Sequence, residues 1–191
     1  MFSKKMGGNT KSSYLALIPK ESNPTTFNRF IPISLCNSSY KILTKIIANR
    51  IKRALPEGIF ENHGVFVSNR KIIDNVIIFQ EAIHTSIQRK EKGIIVKLDM
   101  ANAFDRVSHT YLVAILKKFG FSQDIIETIQ GCISTPWIAP LINGRPSKFF
   151  QSSRGLRQGC PLSPFLYIIM AETLSATLET QRKEKKSQVF K

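Results

Sequence analysis

Between Gly93 and Asp99 the chain reads Gly-Ile-Ile-Val-Lys-Leu-Asp, a short apolar run that stops at an acid. Side chains alternate across a strand, so Ile94, Val96 and Leu98 share one face and Ile95, Lys97 and Asp99 the other. This pattern predicts a core strand that delivers a carboxylate at its C-terminal end. The residues that follow are small. Ala101 and Ala103 leave room beside the acid, and Phe104 supplies a flat wall. Such an arrangement is one half of a metal site for phosphate chemistry. The other half needs further acids, and no Asp-Asp pair occurs in the 191 residues.

A chain of this length holds one sizeable domain or two small lobes. An apolar share of 42% is ample for a core, and thirteen Phe argue against disorder. The 28 basic and 13 acidic residues leave a net charge of +15. That excess calls for a polyanionic partner, either nucleic acid or an acidic membrane face. Cys36, Cys132 and Cys160 are odd in number, fit no zinc spacing and suggest a reducing compartment. The N-terminus, Met-Phe-Ser-Lys-Lys-Met, lacks the apolar stretch of a signal peptide, and no window reaches the length of a membrane span. A soluble intracellular protein is expected.

Tyr14–Ile18 reads as a strand stopped by Pro19, and a helix is expected from about Ser38 to Leu55, before Pro56. On that helix Lys41, Lys45 and Lys52 fall within a stripe of roughly 40°. Ile42, Leu43, Ile46, Ile47, Ile51, Ala54 and Leu55 form a broad apolar face, with Arg50 among them. The lysine stripe is equally suited to gripping a phosphate backbone or to lying in solvent. A second helix covers Lys71–Arg89, with Ile72, Val76, Phe79, Ile83 and Ile87 on one face. A third is capped by Ser108 and ended by Gly120, and a fourth spans about Ser122–Ile133. Trp137–Ile142, Asn143-Gly144 and Arg145 onward read as a β-hairpin with a type I′ turn. After Arg154-Gly-Leu-Arg-Gln-Gly-Cys-Pro-Leu-Ser-Pro164, the run Phe165–Leu178 is apolar on nearly every side and should form a central buried helix. Arg182–Lys186 should be solvated and frayed.

Several of these blocks, in this order, resemble one family. They are Leu15-Ala-Leu-Ile-Pro-Lys20, Pro32-Ile-Ser-Leu-Cys-Asn37 with Tyr40-Lys-Ile42, Phe66-Val67 with Arg70 and Asp74-Asn75, Lys97-Leu-Asp-Met with Ala103-Phe-Asp-Arg-Val107, Asn143-Gly144, and Arg154-Gly-Leu-Arg-Gln-Gly159 with Pro161-Leu-Ser-Pro164. The chain resembles the reverse transcriptase domain of a non-LTR (LINE-type) retrotransposon, plant-like and truncated. The likeness covers about residues 13 to 180.

The resemblance implies an α+β chain with a right-hand polymerase fold, with fingers and part of the palm and with the thumb absent. Residues 1–12 would be a disordered end, 13–92 a fingers-like region, 93–180 a partial palm with a finger hairpin at about 136–152, and 181–191 a basic tail. Asp99 would be the catalytic Mg²⁺ ligand, joined by the Met100 carbonyl in a two-ion site that this chain leaves incomplete. Phe104 stands at the steric gate, where a ring beneath the incoming sugar clashes with a ribose 2′-hydroxyl. Gln158 and Gly159 resemble the loop beside the nascent base pair, the amide contacting nucleotide or template and the glycine letting the backbone approach. Arg70 and Lys41 match basic finger positions that touch template or triphosphate. Asp105 reads as structural.

The implied partners are an RNA template, a DNA primer and deoxynucleotides. Ile31 stands where the family usually has Arg, His63 replaces a Gln, and Asn69 a Gly; these departures fit a decaying copy. The implied activity is RNA-directed DNA polymerisation, which one carboxylate would not sustain alone. Two other readings remain at this stage, a non-catalytic nucleic-acid-binding remnant and an intron-maturase relative.

Overall fold

A computed structural model describes residues 12–59, 63–64, 67, 70–90, 92–134 and 136–189. Phe66 and Asn69, and all but the last residue of the expected disordered end, lie outside the described residues. Among those described, five α-helices and a mixed five-stranded sheet make an α+β chain.

Strand β1 (Ser13–Pro19) pairs antiparallel with β2 (Phe30–Cys36), from Ser13 opposite Cys36 to Pro19 opposite Phe30. On its other side β1 pairs in parallel with β3 (Trp137–Ile142), Ser13 opposite Ile138. The expected hairpin forms: β3 turns through Asn143 and Gly144, both at positive φ, into β4 (Arg145–Pro146). Strand β5 (Phe150–Gln151) returns to pair with β3. The hairpin is thus joined to the N-terminal strands.

Helix α1 (Ser38–Gly58) is opened by the Asn37 side chain, which accepts from the Ser39 amide at 3.0 Å. It passes through Pro56, which removes one bond from the last turn without stopping the helix at once. Its buried line is Tyr40, Thr44, Ala48, Ile51 and Leu55, at helical spacing. The expected apolar face is therefore rotated, with Ile42 and Ile46 exposed and Arg50 in solvent rather than buried. Packing against the loop before the last helix selects the tyrosine face, a preference that hydrophobicity alone does not encode.

Helix α2 (Ile72–Gln88) starts where Asp74 accepts from the Lys71 amide. It carries the expected apolar face but buries none of it among the described residues. Helix α3 (His109–Lys118) is capped by Ser108, which accepts from the Tyr111 amide, and is followed by Gly120 at φ +79°. Leu112, Ile115 and Leu116 enter the core beside Ile126, Ile129 and Cys132 of α4 (Gln123–Ile133).

Helix α5 (Ser163–Val189) is longer than expected. Leu166, Ile168 and Ile169 are buried, whereas Leu174 and Leu178 are exposed, so only its first half is central. Its final turns do not fray within the described residues; Arg182 and Lys183 pair with Glu179 at 2.9 Å and 3.9 Å. No described helix is long and apolar enough to cross a membrane.

The segment Gly93–Asp99 does not form the core strand that its alternation predicts. It belongs to no sheet, and Ile94 is 92% and Leu98 74% exposed. A strand exists only when a neighbour accepts and donates along its length. No described residue does so here, and among the described residues nothing buries the apolar side chains on either of its faces.

Candidate active site

Three of the expected site residues, Phe104, Gln158 and Gly159, sit on two loops that clasp each other. The first is the turn of residues 101–106, closed by the Asp105 and Arg106 amides donating to the Asn102 carbonyl at 3.0 Å and 3.3 Å. Asn102 takes a positive φ, which an Asn tolerates better than most residues. The second is the Arg154–Cys160 loop.

Three contacts stitch the loops together. The Leu156 amide donates to the Phe104 carbonyl and the Gly155 amide to the Val107 carbonyl, each at 2.8 Å, while His109 Nε2 lies 2.8 Å from the Gly155 carbonyl oxygen. Gly155 is at φ +93°, and a Cβ there would stand 3.1 Å from the Asp105 carbonyl oxygen. At the far end of the loop, the Gln158 carbonyl accepts from the Ser34 amide of β2 at 2.9 Å. Gly159, at φ +91°, lets the backbone lie against Ser34; a Cβ would come within 3.1 Å of the Ser34 carbonyl oxygen. The glycine is thus needed for the approach of loop to sheet.

Arg157 locks the loop from beneath. Its guanidinium lies 4.0 Å from the centroid of the Tyr40 ring, donates to the Cys132 carbonyl at 3.0 Å and reaches Cys36 Sγ at 3.8 Å. Tyr40 donates to the same Cys132 carbonyl at 3.1 Å. Burial pushes the Tyr40 hydroxyl far above the ordinary phenol range, with Cys160 adding to the effect. Burial likewise raises the Cys36 thiol, against the opposing pull of Arg157. All three cysteines are free and buried here, which suits inert packing thiols.

A cleft of about 260 Å³ opens beside the loop, walled by Ser34, Asp105, Phe150, Arg154 and Gln158. Partial desolvation raises the Asp105 carboxyl, and Lys20 pulls it back down. Asp99 is exposed at the end of the unpaired segment. Phe104 is half-buried and stacks on Tyr167 of α5, centroids 5.1 Å apart and planes at 19°. The Tyr167 hydroxyl donates to Met100 Sδ at 3.3 Å. Asp99 and Met100 lie immediately before the turn that carries Phe104, and Phe104 is tied directly to the loop of Gln158 and Gly159.

The two basic residues differ. Lys41 is exposed in the first turn of α1. Arg70 is half-buried and donates to the Ile59 and His63 carbonyls at 3.0 Å and 3.4 Å, clasping its own connection. His63 in turn places Nε2 2.8 Å from the buried Glu172 carboxylate and 3.1 Å from Ser175 Oγ, both on α5. The residue that departs from the expected Gln thus anchors this connection to α5.

Tyr167 has no part in the sequence blocks, and Arg157 and Tyr40 stand in them without an assigned contact. A polar-tipped aromatic in the otherwise apolar run Phe165–Met170 was the available signal for Tyr167. An arginine beside the expected Gln-Gly was the signal for Arg157.

No group of three or more His, Cys, Asp or Glu converges among the described residues. Asp99 and the Met100 carbonyl offer only part of the six-oxygen octahedron that Mg²⁺ demands. The described residues alone do not fit a two-ion site.

Residues 18–190 match the family model for reverse transcriptase (RNA-dependent DNA polymerase). The chain is 31% identical over 162 residues to the transposon TX1 uncharacterized 149 kDa protein of Xenopus laevis, across 85% of this chain and 12% of that protein. It is 26% identical over 168 residues to the retrovirus-related Pol polyprotein from type-1 retrotransposable element R2 of Popillia japonica, across 86% of this chain and 23% of that protein. A third relative is the RNA-directed DNA polymerase from mobile element jockey of Drosophila melanogaster, 25% identical over 174 residues, across 86% of this chain and 18% of that protein. The chain spans less than a quarter of each.

Proposed function

The chain belongs to the reverse transcriptase (RNA-dependent DNA polymerase) family, of the LINE retrotransposon type, and on that premise we propose that it forms the fingers and part of the palm of a right-hand polymerase. Residues 13–92 are the fingers-like region and residues 93–180 the partial palm, with the β3–β4 hairpin reaching back to the fingers. The substrates are an RNA template, a DNA primer and deoxynucleoside triphosphates. Asp99 is the acid that this chain offers to the metal site. Phe104 forms the wall under the incoming sugar. Gln158 and Gly159 border the nascent pair, and Lys41 and Arg70 lie toward template or triphosphate.

One observation carries this reading: the Leu156 amide bonded to the Phe104 carbonyl at 2.8 Å. It supports a single wall built from the turn after the acid and the loop of the glutamine. The cleft beside that wall is lined in part by Gln158. The charge of +15 supports a polyanionic substrate.

The same observations support a chain that binds but does not polymerise by itself, because one carboxylate and a carbonyl do not complete the metal site. The test has two parts, performed on the 191-residue chain. Binding of an RNA–DNA hybrid is followed across a salt series, and Mg²⁺-dependent primer extension on an RNA template is compared with Asp99→Ala. The expected result is hybrid binding that weakens steeply with salt, and no extension. No hybrid binding at low salt would sink the reading. Extension abolished by Asp99→Ala would show that the chain is sufficient. A non-catalytic binding remnant is the second reading, supported by the lack of any converging group of three His, Cys, Asp or Glu among the described residues. Coding DNA read past Lys191 separates the two: an in-frame aromatic-x-Asp-Asp favours the polymerase, a stop codon the remnant.

A further inference from the structure

Resting on the functional reading above, we infer that Tyr167 is a positioning residue that sets sugar discrimination by holding Phe104 flat, while its hydroxyl separately tethers Met100 beside the acid. Phe104 sits in a turn whose preceding residues, Ala101, Asn102 and Ala103, are too small to fix a ring. Its carbonyl is held by Leu156, but that bond leaves the ring free to rotate about χ1. Only a neighbour from elsewhere in the fold can fix its plane.

Phe104 rests against the edge of the buried core, and Tyr167 supplies the ring that lies flat on it. The Tyr167 ring stacks at 5.1 Å and 19° on Phe104. It projects from a rigid part of α5, where Leu166, Ile168 and Ile169 are buried on either side. Its hydroxyl reaches past Phe104 to Met100 Sδ at 3.3 Å. One side chain therefore spans the wall under the sugar and the residue next to Asp99. The stack fixes the ring, and the hydroxyl fixes the distance between ring and acid.

The ligand class is a nucleoside triphosphate, and the property controlled is the preference for a 2′-deoxy over a 2′-hydroxy sugar. A loosened Phe104 ring swings aside and admits the hydroxyl. The expected loss of discrimination on removing the stack is about two- to tenfold, the size of one aromatic pair.

The experiment uses the full 191-residue chain and three variants: Phe104→Ala, Tyr167→Leu and Tyr167→Phe. Affinities for dCTP and CTP are measured by equilibrium dialysis with Mg²⁺. Oxidation of Met100 by dilute hydrogen peroxide is followed by peptide mass spectrometry without nucleotide. Wild type should favour dCTP, Phe104→Ala should abolish the preference, and Tyr167→Leu should move most of the way toward it. Tyr167→Phe, which keeps the ring and the fold, should keep the preference and oxidise Met100 severalfold faster. If Phe104→Ala abolishes the preference while folded Tyr167→Leu retains it, the inference falls and the functional reading stands. If wild type binds nucleotides without preference, the functional reading falls and the sugar role falls with it. An unchanged Met100 oxidation rate in Tyr167→Phe overturns the tether whatever the nucleotide result.

Discussion

The guanidinium of Arg157 lies 4.0 Å from the centroid of the Tyr40 ring. This contact joins the loop that carries Gln158 to the first turns of α1. Cys36, Cys132 and Cys160 are buried around it.

Removing the cation should open the loop. Arg157→Ala loses the ring stack and the bond to the Cys132 carbonyl, an expected cost of about 2–3 kcal/mol. Arg157→Lys keeps the charge but not the flat stack and should recover only part of that. Urea denaturation measures the cost, and labelling of the three thiols should be faster in both variants. Unchanged labelling would mean that the loop does not depend on Arg157.

Gly155 and Gly159 are both at positive φ, each with main chain 3.1 Å from the site of a Cβ. Gly155→Ala and Gly159→Ala should each cost at least about 1–3 kcal/mol, because backbone atoms cannot move aside as a side chain would. The Gly159 change should also push the loop off Ser34. Gly144→Ala is the control: it has a positive φ but open space around it. Its loss should be the smaller, as read by thermal denaturation.

Asp105 titrates in the opposite sense to a carboxylate held by a strong ion pair. Its folded pKa is raised, by partial desolvation that Lys20 only partly offsets. The folded state therefore holds this proton more tightly than the unfolded state. The resulting stability is complete below the unfolded pKa and is lost as pH rises through the folded value. Asp105→Asn should gain melting temperature relative to wild type as pH climbs from 3 toward 7. A difference that shrinks with rising pH would contradict this assignment.

The apolar faces of α2 and of residues 94–98 are largely exposed, and none of their residues is buried among the described residues. Ile87→Lys and Ile94→Lys should each change the stability of this chain by no more than about 0.5 kcal/mol. They should also lower the fluorescence of a dye that reports apolar surface. A loss of several kcal/mol would mean that these residues have a partner in solution.

The features legible in the sequence are those set by neighbours along the chain. Ser108 and Gly120 bound α3 through their own backbone chemistry, and Asn143-Gly144 makes its turn for the same reason. The features that escaped are set across the fold. Gly93–Asp99 has the alternation of a strand but no hydrogen-bonding neighbour. The buried face of α1 follows Tyr40, because Arg157 and Cys132 come from far along the chain to meet it. The fate of Arg70 turns on two carbonyls, and Tyr167 on a ring 63 residues before it, neither of which residue spacing reveals. Within the candidate site, the order of the blocks was readable while the contacts that bind them were not.

The parallel pairing of β1 with β3 has a cost in time. The β1–β2 ribbon is a local hairpin and can form as soon as Cys36 is available. Its other edge has to wait for Trp137–Ile142, with four helices lying between. During synthesis that edge is bare for several seconds at about 5–20 residues per second. The nascent ribbon is then a template for any extended strand that passes, and correct maturation is a race between this chain's own late strand and a stranger's.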